Sequence, residues 1–366
     1  MRAALVPILG VFVSLGMGLN GAAQERLAFE RSAVRVSSQA VSSTSQPIQS
    51  SVLGFVVNAP TVVREGRRPS GNTYSIARAQ VRAILGIPGA AMLSTPLALP
   101  AGIENVYFAP RQNYALAEQS TGTVALLQFS GTQSGSIIAV PGTLHKPDLV
   151  TFSPNGLSAA IFSAEEGHLL VFTGLPNSPQ LSRDLSGGDL PAGIKTLALA
   201  DDGATLLAGT SDSRVLVLRS GSAAQLAYSA TDLAGIAFAP ASTDALLFDH
   251  EGAKALLLQN VATAPSPRML AEGLAGLSGA IVLEVDNGSA LVGAVNAKSL
   301  SRIDLQTLRV DSITLAAGLT TLRPLGISHR FLLSAQPGQA AWILDTSSDA
   351  SAVYFVPPQR IAMATR

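Results

Sequence analysis

Residues 148–218 spell one pattern twice in succession. The first copy runs Asp148-Leu-Val-Thr-Phe-Ser-Pro-Asn-Gly156, then Ala159-Ala-Ile-Phe162, then His168-Leu-Leu-Val-Phe172. The second runs Lys195-Thr-Leu-Ala-Leu-Ala-Asp-Asp-Gly203, then Thr205-Leu-Leu-Ala208, then Arg214-Val-Leu-Val-Leu218. Each copy reads as a short apolar strand, a turn closed by glycine, a second strand, a polar loop and a third strand. The turn glycines, Gly156 and Gly203, are 47 residues apart. A repeat of roughly 40 to 50 residues made of short strands is what an all-β propeller requires, because one such unit cannot bury both its faces alone.

The same pattern recurs from residue 100 onward, with inner strands expected at 103–108, 148–152, 194–199, 233–238, 279–285 and 319–325. These runs are nearly continuous in apolar residues, as strands covered on both faces should be. No window shows a sustained 3.6-residue apolar period, so no helical domain is expected. Only 13% of the chain is charged, and 47% is apolar, enough for a sizeable core. Six blades can be counted. Two further apolar segments, 52–57 and 81–87, read as an outer hairpin that either contributes to a seventh blade or completes the ring against the carboxyl-terminal one. Residues 64–72, between them, hold Gly66, Pro69, Gly71 and Asn72, which argue against regular structure there.

The elements Phe152-Ser-Pro-Asn-Gly156 and Phe238-Ala-Pro240 resemble the strand-then-turn unit of secreted bacterial propellers of the YVTN and WD-repeat-like type. The resemblance covers roughly residues 100–356 and speaks to fold rather than to activity. The chain departs from the WD-repeat signature in lacking Gly-His and Trp-Asp pairs at the matching places. Its one tryptophan, Trp342, falls in a third strand, where packing accounts for it.

Ahead of the propeller (51–366), residues 1–23 have the order of a secretory signal peptide: Arg2, an apolar core from Ala3 to Leu15, then Gly21 and Ala23 before Gln24. Residues 24–50 read as a flexible linker rich in Ser and Gln. The address implied is secreted or periplasmic, with no stable membrane insertion once the leader is removed. Gly16-Met-Gly18-Leu-Asn-Gly21 imitates a dinucleotide fingerprint but follows no strand and lies in the leader. The chain has no cysteine, which excludes disulfides, thiolate metal sites and cysteine nucleophiles.

Lys and Arg together number 24 against 24 acids, so no global charge points to nucleic acid. The four histidines, His145, His168, His250 and His329, lack metal-ligand spacing. Asp201-Asp-Gly203 and Asp286-Asn-Gly288 align with Pro154-Asn-Gly156, so turn geometry explains their acids and neither a metal nor a cofactor is expected. One placement carries more. Glu104, Asp148 and Lys195 each stand four residues before an aligned inner-strand position, which sets them at the channel mouth as candidate ligand-binding residues. Loops between second and third strands add Glu165, Glu166, Asp212, Glu251, Lys298 and Gln336 to that face. The function expected is an exported, non-enzymatic scaffold whose loops bind a protein or a glycan. The alternative is a hydrolase resembling lactonase-type propellers with Glu104 and Asp148 as its acidic pair, and a third reading is a structural part of an envelope assembly. If export and cleavage follow the leader, intact-mass analysis of the secreted protein should find Gln24 as its first residue; full-length chain in the membrane fraction would reject cleavage.

Overall fold

The computed structural model describes residues 51–67, 73–142, 144, 146–219, 222–286, 288–335, 339–348 and 350–358. The expected leader (1–23) and linker (24–50), together with His145 and Gln336, lie outside these residues. The described chain forms seven antiparallel sheets, six of four strands and one of three. Within each sheet the strands follow one another in chain order, which makes every sheet a meander, the blade of a propeller. Blade 1 (52–96) is the three-stranded one, and blades 2 to 7 span 103–139, 149–186, 194–229, 233–271, 281–314 and 323–356. The only helical element among the described residues is the single turn Gly187–Asp189.

Local chemistry sets the meander. In blade 3 the inner strand Leu149–Phe152 reverses where Gly156 takes a φ of 66°. Asn155 Oδ1 accepts from the Ser153 hydroxyl and the Leu157 N–H, an Asx-type turn. Blade 4 repeats it with Asp202, whose Oδ1 accepts from the Ala204 and Thr205 N–H groups. The second strand of a blade has neighbouring blades on both faces, so Ala159–Ser163, Leu206–Thr210, Ala245–Asp249 and Ser289–Ala294 are buried at every residue. The outermost strand is wetted: Gln180–Ser186 alternates between exposed and half-buried.

The apolar core is accordingly not one mass but seven clusters, one in each gap between blades. Blades 4 and 5 share Leu207, Val217, Phe238 and Leu247. Blades 7 and 1 share Leu53, Val56, Ile84, Leu332 and Ile343, and blades 1 and 2 share Phe55, Val81, Val106 and Leu127. Polar ties reinforce several gaps. Arg183 donates from blade 3 to the carbonyls of Ala204, Leu218 and Arg219, and Arg219 donates onward to Val261 and Thr263 beside blade 5.

Blade 1 corrects one expectation. Residues 52–57 and 81–85 pair as expected, within a three-stranded blade whose first strand, Val52–Arg67, contributes no residue to the channel lining. The strand also continues through residues 64–67 despite Gly66, pairing as far as Arg67 with Thr73, because a long antiparallel partner satisfies its backbone. At the join, Gln112 of blade 2 is 4% exposed. Its Oε1 accepts the Phe55 N–H at 2.6 Å, and its Nε2 donates to the Pro324 carbonyl at 2.9 Å. One amide thus ties blades 2, 1 and 7. Gly54 admits it, since a Cβ there would stand 2.5 Å from Gln112 Oε1 and 2.7 Å from Leu325 Cδ2. Gln112→Ala should cost about 1–3 kcal/mol for each backbone group it orphans, read as a lower urea midpoint. An unchanged midpoint would show that the tie does not hold the ring.

Candidate functional site

The strand registers place one residue from each of six inner strands at a common level. Tyr107, Thr151, Ala198, Ala237, Glu284 and Arg323 lie opposite Leu116, Ala160, Leu207, Leu246, Leu291 and Leu332 of their second strands. All six line a cavity of about 250 Å³ inside the ring. Its wall is divided by chemistry. Blades 3 to 5 supply Val150, Phe152, Leu199, Ile236 and Phe238, whereas blades 2, 6 and 7 supply Tyr107, Glu284 and Arg323.

Protein surrounds Glu284 and Arg323 even though channel solvent reaches both side chains, and this enclosure sets their ionisation. Burial, reinforced by the Asp286 charge, pushes the Glu284 carboxyl up to about 8. At neutral pH it is mostly protonated and able to donate. Burial lowers the Arg323 guanidinium, and neighbouring Tyr107 opposes that shift. The Tyr107 phenol is raised by burial first, then by Glu118, with a smaller push from Asp148. Among the described residues, the side chains of Glu284 and Arg323 make no hydrogen bond or ion pair.

A second cavity of about 760 Å³ opens at the turn face of the ring and shares Pro110, Pro154, Glu284 and Pro324 with the first. Its rim is held by carboxylates. Asp201 accepts the N–H groups of Asn155 and Ala241, both at 2.7 Å, and so ties the turns of blades 3, 4 and 5. Asp286 bonds His329 Nδ1 at 2.8 Å and accepts from the Thr346 hydroxyl at 2.6 Å, joining blades 6 and 7. Asp202 serves its own turn, whereas Asp201 and Asp286 reach across gaps.

Glu104, Asp148 and Lys195 all stand exposed at the opposite end of the inner strands. Asp148 Oδ2 accepts the Ala164 N–H at 2.6 Å, and its charge is felt by Tyr107 of the preceding blade. No hydrogen bond or ion pair joins the three to one another among the described residues. No group of three or more His, Asp or Glu there could hold a metal ion. Spacing along the sequence does not single out Glu284 and Arg323. The signal is nonetheless present, since Glu284 interrupts the apolar run Ile281–Asp286 and Arg323 sits between Leu322 and Pro324.

Seven meander blades around a solvent-reached channel make the chain a seven-bladed β-propeller. Solved structures bear this out. PorZ, an essential bacterial surface component of the type-IX secretion system of Porphyromonas gingivalis, superposes with a TM-score of 0.51 at 12% identity, over 84% of this chain and 39% of that one. The WD40 repeats of RRP9 superpose with a TM-score of 0.50 at 12% identity, over 71% of this chain and 82% of that one. The chain therefore spans well under half of PorZ, and likeness at this identity shows the fold alone. No family model matches the chain, and no curated protein matches it. No helix among the described residues is long and apolar enough to cross a membrane.

The Glu284 shift has a thermodynamic sign. Between the ordinary value of 4.5 and about 8, the folded state binds more protons than the unfolded state. Stability must therefore fall as pH rises through that window, by at most about 1.4 kcal/mol per pH unit, and level off above it. Glu284→Gln should flatten this slope in urea titrations at pH 5, 6.5 and 8; an unaltered slope would show that Glu284 ionises normally.

Proposed function

We propose that the protein is an exported, non-enzymatic scaffold that binds a protein or glycan partner through the face where its inner strands begin. The observation that carries this reading is the charge left unused on that face. Glu104, Glu165, Lys195, Glu251 and Lys298 are exposed, and their side chains make no hydrogen bond or ion pair among the described residues. Asp148 lies among them. They belong to successive blades, so a stiff ring displays both signs of charge in fixed relative positions. Such display favours selection of a partner by complementarity while contributing little to folding. The likeness to a bacterial surface component is compatible with an exported role, and the expected leader supports it independently.

The test is affinity capture from the native envelope with the mature protein and with a triple variant, Glu104→Ser, Asp148→Asn and Lys195→Ser. The amide introduced by Asp148→Asn retains an oxygen for the Ala164 N–H, so stability should change by only about 0–1 kcal/mol. A partner captured by the parent and lost by the equally stable variant is expected. Equal capture by both proteins would remove this face from the function.

A further inference from the structure

The channel holds polar chemistry that partner binding on the outer face leaves unused. Arg323 and Glu284 come from adjacent blades at one level of the channel and face the same cavity, and their side chains have no hydrogen-bond partner among the described residues. The Arg323 guanidinium is open to channel solvent and makes no ion pair among the described residues, so its donors are free to meet a ligand. Across from them the same level carries Thr151, Ala198 and Ala237, whose small side chains leave the channel open. Val150, Phe152, Leu199, Ile236 and Phe238 make that wall apolar.

We propose that the channel binds a small monocarboxylate with an apolar tail. The guanidinium fork of Arg323 matches a carboxylate with two parallel N–H donors, a geometry that neither lysine nor a neutral donor reproduces. The tail lies along the wall formed by blades 3 to 5. Glu284, at the same level of the channel, is mostly the neutral acid at pH 7, so it does not repel the anion. A second carboxylate on the ligand would bring its charge towards Asp286 in the adjoining cavity, which favours a single anionic group. The ligand enters from the turn face through the larger cavity, which shares Glu284 and Pro324 with the channel. This site is separate from the charged outer face, so either reading can fail without the other.

Calorimetric titration of the mature protein with hexanoate tests the proposal. Saturable one-to-one binding is expected, with hexanamide and inorganic phosphate each at least tenfold weaker, because one lacks the charge and the other the tail. Arg323→Gln should weaken hexanoate at least tenfold while keeping the parent's circular dichroism spectrum. Should that variant not fold, the comparison of hexanoate with hexanamide on the parent protein decides alone. Absence of saturable hexanoate binding at millimolar concentration would overturn the proposal. Equal binding of hexanamide or phosphate would overturn it too, as would undiminished hexanoate binding by folded Arg323→Gln.

Discussion

The structure depends on apolar burial between blades, repeated seven times and closed on itself. A single four-stranded meander exposes two apolar faces and has no stable existence alone. Each blade supplies half of two cores, so no blade is buried until the ring is complete. The decisive gaps are the last to be specified by local sequence, those flanking blade 1. There Leu53 and Val56 turn towards blade 7 while Phe55 turns towards blade 2, which strict alternation would forbid and the pairing irregularity between Val52 and Gly54 allows. The Gln112 amide then fixes the spacing by reaching Phe55 on one side and Pro324 on the other.

The blades from 103 onward were legible because their signal is local. Apolar inner strands, a turn glycine at constant offset and a fully buried second strand all follow from a period that the sequence repeats. Blade 1 was less legible, because what seats Val52–Arg67 in the ring is contact with residues as distant as Leu325 and Leu332. Gly54 shows the difficulty: in sequence it is a weak strand residue, and only the approach of Gln112 explains it. Asp201 and Asp286 lie in turns, as expected, yet their bonds to Ala241 and His329 depend on blades that sequence spacing does not bring together.

The candidate sites divide in the same way. Counting back along aligned strands was enough to find Glu104, Asp148 and Lys195, since exposure at a strand start follows from register alone. Glu284 and Arg323 required knowledge of which residues share a level. That level is set in blade 7 by an inner strand reduced to Arg323–Pro324, shorter than the apolar run 319–325 suggests. Proline shortens it because it has no N–H to give to the ladder.

The first strand of blade 1 also breaks the symmetry of the ring. Its Leu53–Phe55 end lies by Gln112 and Leu325 at the turn face, and it runs on to Arg67 and returns from Thr73, paired, on the side where the other six inner strands begin. Seven near-equivalent units would otherwise present a mouth with no preferred azimuth. The extension gives that mouth a bearing, so an approaching molecule meets one flank fenced by a two-stranded ribbon and the rest open. Rotational degeneracy, inherent in any ring of repeats, is thereby lifted on the face that carries Glu104, Asp148 and Lys195.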